Sequence, residues 1–232
     1  VGLSLLAIVC IVMMQFRVQR RIDKTLADRR TMQTAALAFI PKKFLKLAGC
    51  VSILQVTAGT NSEVAVSMLA SNIRNFAAIS RSFDNADLFV WLQRYFTRMT
   101  SVTEKNNGFV DKLSGDSIFA IFTSPMDAVQ CAVSMQASAK QLTYDVMASG
   151  DTSIFVIGVG LHHAVVTVGF LGNNDRVTTT LVSSDITTAT RLNELTLHYG
   201  VNILSSQIVL DQLGTHQFAT RRLGVLDVVD AN

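Results

Sequence analysis

The stretch NGFVDKLSGDSIFAIF, residues 107–122, decides the fold of this chain. Two short apolar runs within it, Phe109–Leu113 and Ser117–Phe122, predict two β-strands. Ser114-Gly115-Asp116 separates them, and a glycine at the bend is typical of a tight turn. The stretch therefore predicts a β-hairpin that begins after the turn signal Asn106-Asn107-Gly108.

A helix is predicted on each side of this hairpin. Upstream, Asp84 is a candidate N-cap, and the apolar positions after it share one helical face. These positions are Leu88, Trp91, Leu92, Tyr95, Phe96, Met99 and Val102. Downstream, Ser124-Pro125 combines an N-cap serine with a proline at the first helical position. Both helices are expected to pack their apolar faces on the sheet.

Further strands are predicted from apolar and β-branched runs. They cover Glu63–Ala70, Ser153–Leu161, Val165–Phe170, Val201–Leu204, and segments near Phe218 and Leu223–Val228. A helix from about Asp185 to Tyr199 and a short helix after Leu204 complete the pattern. The interleaved order predicts an α/β sandwich whose sheet is mixed, because a hairpin follows the first helix.

Five blocks in this order resemble the catalytic domain of class III nucleotidyl (adenylate/guanylate) cyclases, over about residues 39–214. The blocks are residues 39–47, 72–76, 107–118, 127–136 and 191–200, and the third is the most specific. The resemblance implies the α/β class III cyclase-like fold, with a ferredoxin-like βαββαβ core, in a membrane-linked bacterial-type architecture. It also implies head-to-tail dimers with sites at the interface, so a cyclase-like partner, identical or not, is expected.

The metal site that the resemblance implies is damaged. In the family, two metal ions held by two aspartates assist the attack of the ribose 3′-oxygen on the α-phosphate and the loss of pyrophosphate. Asp116 matches the hairpin aspartate, but Asn72 stands where the first aspartate belongs. No aspartate or glutamate lies between Glu63 and Asp84, so the sequence offers no obvious substitute. An amide is a poorer ligand than a carboxylate for Mg²⁺ or Mn²⁺, so the metal centre is expected to be lost.

The substrate-binding half is better retained. By resemblance, Lys112 matches the base-selecting lysine and Thr180 the second base-selecting position, of the adenine type. Arg191 matches the arginine that stabilises the transition state. Thr187 replaces the asparagine that orients the ribose, and its shorter side chain cannot reproduce the amide geometry.

These residues support three hypotheses. The favoured one is a degenerate cyclase-homology domain, a pseudo-enzyme without a cofactor, acting as a structural, regulatory or assembly subunit in signal transduction. The second is a functional adenylate cyclase that converts ATP to cyclic AMP with Mg²⁺ or Mn²⁺, alone or as the substrate-binding half of a heterodimer. The third is a nucleotide-binding sensor without turnover.

The N-terminal segment differs from the rest of the chain. Val1–Phe16 has no charged residue, and three arginines follow within residues 17–21. A signal peptide would carry its positive charge before the apolar run, and a core helix would accommodate the arginines badly. A truncated transmembrane helix with a basic flank fits best. The expected organisation is a transmembrane helix at 1–16, a basic helical stalk or linker at 17–48 and a cyclase-like domain at 49–232.

The charge distribution follows this division. Nine basic and two acidic residues give residues 1–50 a net charge of +7, whereas residues 51–232 carry −4. The acidic body argues against nucleic acid as a partner. We expect the chain to cross a membrane at least once, with the soluble domain on the cytoplasmic or matrix side. Membership of a larger membrane complex is compatible with this location. Three widely spaced cysteines support neither a disulfide framework nor a zinc site.

Overall fold

A computed structural model describes residues 2–37, 39–148, 154–173, 176–214 and 218–225 of the chain. Its elements are as follows: α1 Gly2–Leu37, α2 Lys42–Leu47, β1 Asn61–Ile73, α3 Phe76–Ser80, α4 Asn85–Lys105, β2 Phe109–Ser114, β3 Ser117–Phe122, α5 Pro125–Ala148, β4 Ile157–Gly172, β5 Val177–Val182, α6 Ile186–His198, β6 Ile203–Ser205 and α7 Gln207–Asp211. A short 3-10 helix, Ile53–Gln55, precedes β1.

The strands form one six-stranded sheet in the order β2-β3-β1-β4-β5, and β6 pairs with β4. The β4–β6 pair is parallel and the other pairs are antiparallel, so the predicted mixed sheet is confirmed. The order β2-β3-β1-β4, with α4 and α5 as crossovers, is the predicted ferredoxin-like βαββαβ core. Because β1 lies between β3 and β4, its carboxyl end is held from both sides.

Helices α4 and α5 cover one face of the sheet. The predicted apolar stripe of α4 is confirmed, since Trp91, Tyr95 and Met99 are buried. Asp84 caps this helix, its carboxylate accepting a hydrogen bond of 2.8 Å from the backbone N–H of Asp87. Trp91 stacks on Phe155 with ring centroids 4.3 Å apart, which ties α4 to the segment before β4.

Helices α2 and α6 cover the opposite face. Phe44 of α2 is fully buried and meets Phe170 of β4 edge to face at 5.5 Å. Ala189 and Ile186 of α6 belong to the same apolar cluster. The sheet is thus buried on both sides, and each side has its own core.

The N-terminal helix α1, Gly2–Leu37, covers the expected transmembrane segment and the first part of the expected stalk, and α2 covers most of the stalk's last residues. The side chains of residues 1–12, most of the expected transmembrane segment, lie outside the described part of the chain. Within the described part, the structure contains no helix that is both long enough and apolar enough to cross a membrane. The transmembrane prediction is therefore unsupported.

The strand pattern of the described region differs from the prediction in three places. Residues 157–172 form the single strand β4 rather than two strands, because β1 pairs with it continuously from Asn61 to Ile73. The threonine-rich strand β5 was missed. No strand forms at residues 218–225, and the rest of the expected last strand, residues 226–228, lies outside the described residues.

Candidate functional site

A cavity of about 230 Å³ lies between α6 and the strands at the hairpin end of the sheet. Its polar lining includes Asp111 and Lys112 of β2 and Thr187 and Thr190 of α6, together with three serines and Asn193. The apolar part of its wall includes Phe119, Leu181 and Ile186. An apolar pocket with a few convergent polar groups is the usual form of a small-molecule site. The volume suits one ring system rather than a whole nucleotide.

A β-bulge places two neighbouring charged residues of β2 on the same side of the sheet. Val110 pairs with Ala120 and Lys112 pairs with Phe119, so Asp111 is an extra residue without a partner on β3. Strict alternation would turn Lys112 away from Asp111, because successive strand side chains point to opposite faces. The bulge cancels this alternation, and both side chains reach the cavity.

Asp111 is an unusual residue of this site because its carboxylate is buried and has no partner. Both of its carboxylate oxygens are buried, and neither has a hydrogen-bond partner. Burial raises the pKa of Asp111 from 3.8 to about 6, although the nearby Lys112 charge lowers it. An unpartnered buried carboxylate destabilises the fold, so its presence calls for a functional explanation.

Helix α6 lies directly on β4 because two glycines leave room for it. A Cβ atom on Gly160 would come within 2.1 Å of the Ala189 carbonyl oxygen. One on Gly158 would come within 2.5 Å of the Thr196 hydroxyl. This close approach positions Thr187 at the edge of the cavity. The Thr187 hydroxyl donates to the Ser184 carbonyl at 3.3 Å, so it is occupied by its own turn.

Two other residues assigned to the substrate half do not line the cavity. Thr180 of β5 is half-buried, and its hydroxyl lies 3.5 Å from the Leu181 carbonyl. Arg191 is half-buried on α6, beyond Thr187 and Thr190. Lys112 and Thr187 therefore line one cavity within a single chain, while Thr180 and Arg191 lie outside this cavity. The roles of all four residues stay predictions.

The two positions assigned to metal binding meet at the end of β1. The Asp116 carboxylate, in the hairpin turn, accepts a hydrogen bond of 3.0 Å from the backbone N–H of Ile73. Asn72 is the preceding residue of β1 and pairs with Gly158 on β4. The structure thus places Asn72 and Asp116 at the same end of β1, and their metal-binding roles stay predictions.

This donor set does not fit two divalent cations. Asn72 offers a neutral amide, and one oxygen of Asp116 is engaged by the backbone of β1. Within the described ranges, no group of three or more histidine, cysteine, aspartate or glutamate side chains could hold a metal ion. Hard divalent cations are held mainly by carboxylates, and the two positions at the end of β1 supply one carboxylate, Asp116, and one amide, Asn72.

Arg74 ties the end of β1 to the far end of α6. Its guanidinium donates to the Thr196 hydroxyl at 3.3 Å and to the Val201 carbonyl. The Asn72–Asp116 end of the sheet and the helix that lines the cavity are therefore joined by side-chain hydrogen bonds as well as by packing.

The two histidines of β4 form hydrogen bonds with neighbouring serines. His163 Nδ1 lies 2.9 Å from the Ser67 hydroxyl on β1. His162 Nδ1 lies 2.9 Å from the Ser206 hydroxyl, and its Nε2 is 3.6 Å from the Asp185 carboxylate. Burial lowers the pKa of His162, and the Asp185 charge only partly opposes this. Burial also lowers the pKa of His163.

The strand pattern did not mark Asp111 as a residue of the site. The pattern of β2 contains no glycine or other marker of the bulge, so alternation alone could not place this residue in a cavity. A paired acid and lysine at the centre of the most specific block was the only signal available.

Residues 59–229 match the family described as the adenylate and guanylate cyclase catalytic domain. This match covers more than half of the chain, so the chain belongs to that family, and the resemblance seen in the sequence is confirmed.

Curated relatives include an adenylate cyclase of Anabaena cylindrica, 27% identical over 190 residues, which cover 80% of this chain and 38% of the relative. An adenylate cyclase of Rhizobium meliloti is 25% identical over 63% of this chain and 23% of its own length. The chain thus spans well under half of these relatives.

Solved structures show the same fold. A bacterial light-regulated adenylyl cyclase superposes with a TM-score of 0.73 at 21% identity, covering 84% of this chain and 58% of that one. The guanylyl cyclase Cya2 superposes with a TM-score of 0.61 at 23% identity, covering 72% of this chain and 89% of that one.

Proposed function

We propose that this chain is a cyclase-homology domain that has lost cyclase turnover of its own and serves as a regulatory or assembly subunit of a cyclase-type dimer. The observation that carries the proposal is the end of β1, where Asn72 takes the place of a metal-binding aspartate. Asp116, the remaining carboxylate, is hydrogen-bonded to the Ile73 backbone.

In the cyclase reaction, negative charge builds up on the transferring phosphoryl group and on pyrophosphate. Two cations neutralise it in two-metal reactions. Loss of a single preorganised electrostatic contact in an active site typically lowers kcat about 10²-fold or more. Asn72 weakens the metal side and Thr187 weakens the ribose side, so a homodimer would repeat both defects in each of its sites.

The test is a cyclase assay on the full chain with ATP and with GTP, in Mg²⁺ and in Mn²⁺. We expect no cyclic nucleotide from the wild type and a measurable rate from the double variant Asn72→Asp/Thr187→Asn. Adding Asp116→Asn to that variant should abolish the gain. Wild-type turnover that Asp116→Asn abolishes would refute the proposal.

A second candidate is the substrate-binding half of a heterodimer with a complete cyclase chain. The cavity favours it, because Lys112 and Thr187 line it without help from another chain. The partner would then supply both metal-binding aspartates. Co-expression with a complete cyclase chain should raise cyclic AMP production, and Lys112→Ala or Arg191→Ala should remove the increase. An unchanged rate would exclude this role.

Membrane anchoring and membership of a larger membrane complex stay predictions from the sequence. Flotation of the full chain with lipid vesicles, compared with a chain lacking residues 1–16, tests the first. Retention of both forms in the soluble fraction would contradict it.

A further inference from the structure

A second cavity, of about 290 Å³, lies where α2 meets the start of the hairpin. It shares no lining residue with the cavity beside α6, so the two are separate sites. Its lining consists of Lys43, Lys46 and Leu47 of α2, Phe109 of β2, Ile121 of β3, and the flanking residues Asn107 and Thr123.

The packing of α2 brings two lysines to this cavity. Phe44 and Leu45 are buried and hold the helix against the sheet. Lys43, Lys46 and Leu47 follow the i, i+3, i+4 spacing that places side chains on one face of a helix. Both lysine side chains are exposed, so a ligand in the cavity can reach them.

The ammonium group of Lys43 has a defined position. It donates a hydrogen bond of 3.2 Å to the carbonyl oxygen of Gly108. Gly108 itself is closely packed, since a Cβ atom there would come within 2.3 Å of the Phe122 ring. An ammonium group has three N–H donors, so Lys43 keeps two for a ligand.

The positive charge of α2 is not neutralised within the described part of the chain. The six residues of this helix include three lysines and no acid, and like charges one turn apart destabilise a helix. Neither Lys43 nor Lys46 pairs with a described acid, and the lining contains no carboxylate. Asp127, outside the lining, accepts a hydrogen bond of 3.4 Å from the Asn107 amide. Such an unbalanced pair of cations at a cavity is typical of a site for an anion.

We propose that this cavity binds a phosphate monoester, with Lys43 and Lys46 neutralising its two negative charges. A phosphate monoester carries nearly two charges at pH 7.5, and lysine binds phosphate as a point charge. Thr123 adds an exposed hydroxyl donor at the rim. The cavity also has room for a small organic body beside Leu47, which suits a sugar phosphate or the headgroup of a phospholipid. This site is independent of cyclase turnover and of a partner chain.

The test is equilibrium dialysis of the full chain against radiolabelled ribose 5-phosphate in a phosphate-free buffer at pH 7.5. We expect saturable binding with which unlabelled ribose does not compete. Lys43→Gln and Lys46→Gln should each lower the affinity at least about 10-fold, since a hydrogen bond to a charged group is typically worth that much. Lys46→Arg keeps the charge and should retain binding.

The matched control is Lys42→Gln, which removes an exposed lysine of the same helix that does not line the cavity. Its affinity should stay within about twofold of the wild type, as expected for a charge without direct contact. An equal loss in Lys42→Gln would reduce the effect to the general charge of α2 and overturn the inference. So would an absence of ribose 5-phosphate binding, or a loss of binding in Lys112→Gln, which would move the ligand to the other cavity. Thermal unfolding of each variant would show that the proteins compared are folded.

Competition with lipid vesicles distinguishes the two sources of the phosphate group. Phosphatidylcholine vesicles that contain phosphatidic acid should displace ribose 5-phosphate if the natural ligand is a lipid headgroup, whereas vesicles of phosphatidylcholine alone should not. Retention of ribose 5-phosphate in the presence of both kinds of vesicle would assign the site to a soluble phosphate monoester.

Discussion

Asp111 carries a stability cost that can be measured without any ligand. Its pKa is raised to about 6 from 3.8 by burial, so the ionised form is disfavoured in the folded state. Above pH 6 the folded protein bears the full cost of this charge. The cost falls as the pH drops through 6 toward 3.8, because the folded state then takes up a proton before the unfolded state does.

We therefore expect Asp111→Asn to raise the free energy of unfolding by about 1–2 kcal/mol at pH 7.5, allowing for partial exposure of the group. The gain should be clearly smaller at pH 4.5. Urea titrations of wild type and variant at both pH values measure it. Equal gains at the two pH values would show that the charge is not the cause.

The comparison must be made between variants at each pH rather than along one pH curve. The pKa of His162 and of His163 is lowered by burial. Acidification below about 6.5 therefore destabilises the fold through these histidines, whereas it relieves the cost of Asp111. The two effects partly cancel in the wild type.

The position of α6 depends on Gly160 rather than on its side-chain contacts alone. Gly160→Ala would place a methyl group against the backbone of Ala189 and Asn193. Overpacking of this kind typically costs about 1–3 kcal/mol, and the helix would have to move away from β4. We expect a lower denaturation midpoint and weaker nucleotide binding.

Ala65→Val is a suitable control for this substitution, because Ala65 is an exposed residue of β1 and a β-branched side chain suits a strand. It should leave both quantities nearly unchanged. If Gly160→Ala were as stable as the wild type, the close packing of α6 on β4 would be unimportant.

Elements with a regular spacing of apolar residues could be predicted from the sequence. Strands whose limits are set by pairing with a neighbouring strand could not. The hairpin, α4 and α5 followed from apolar spacing and capping residues. Strand β4 was divided because His162, His163 and Ala164 interrupt its apolar pattern, yet pairing with β1 continues through them. Ser67 and His163 even hydrogen-bond across the two strands.

The candidate site could likewise be predicted only in part from the sequence. The position of Asp116 beside the end of β1 followed from the family pattern, since the motif lies in the hairpin turn itself. Asp111 and Lys112 line the same cavity because of a β-bulge, and the sequence of β2 contains no residue that is characteristic of a bulge. The half-exposed, threonine-rich strand β5 was missed because it lacks both an apolar run and strict alternation.

At the scale of the whole molecule, the described residues leave part of the sheet uncovered. Val165 on β4 and Val182 on β5 are 61% and 56% exposed. Ala65 lies opposite Val165, and Val182 lies opposite Thr167, so these residues share one face. We expect this apolar patch to be buried against a second cyclase-type domain, as the proposed dimer requires.

Val165→Lys should therefore weaken self-association of the full chain at least about 10-fold, because it places a charge in an apolar interface. Sedimentation equilibrium measures the change. Leu197→Lys, at an exposed apolar position of α6, should have no effect. Dissociation by Leu197→Lys instead would move the interface to the other face of the molecule.

The Arg74 contacts have a mechanical consequence. They link β1, which ends at the Asn72–Asp116 corner, to the segment after α6, and the glycines of β4 hold α6 against the sheet from below. Because Arg74 holds the carboxyl end of α6 and Gly160 brings its middle against β4, we expect the wall that carries Thr187 to move together with the sheet. We therefore expect the cavity to open and close mainly through a shift of one cyclase-type domain against its partner, at a rate that depends on the partner.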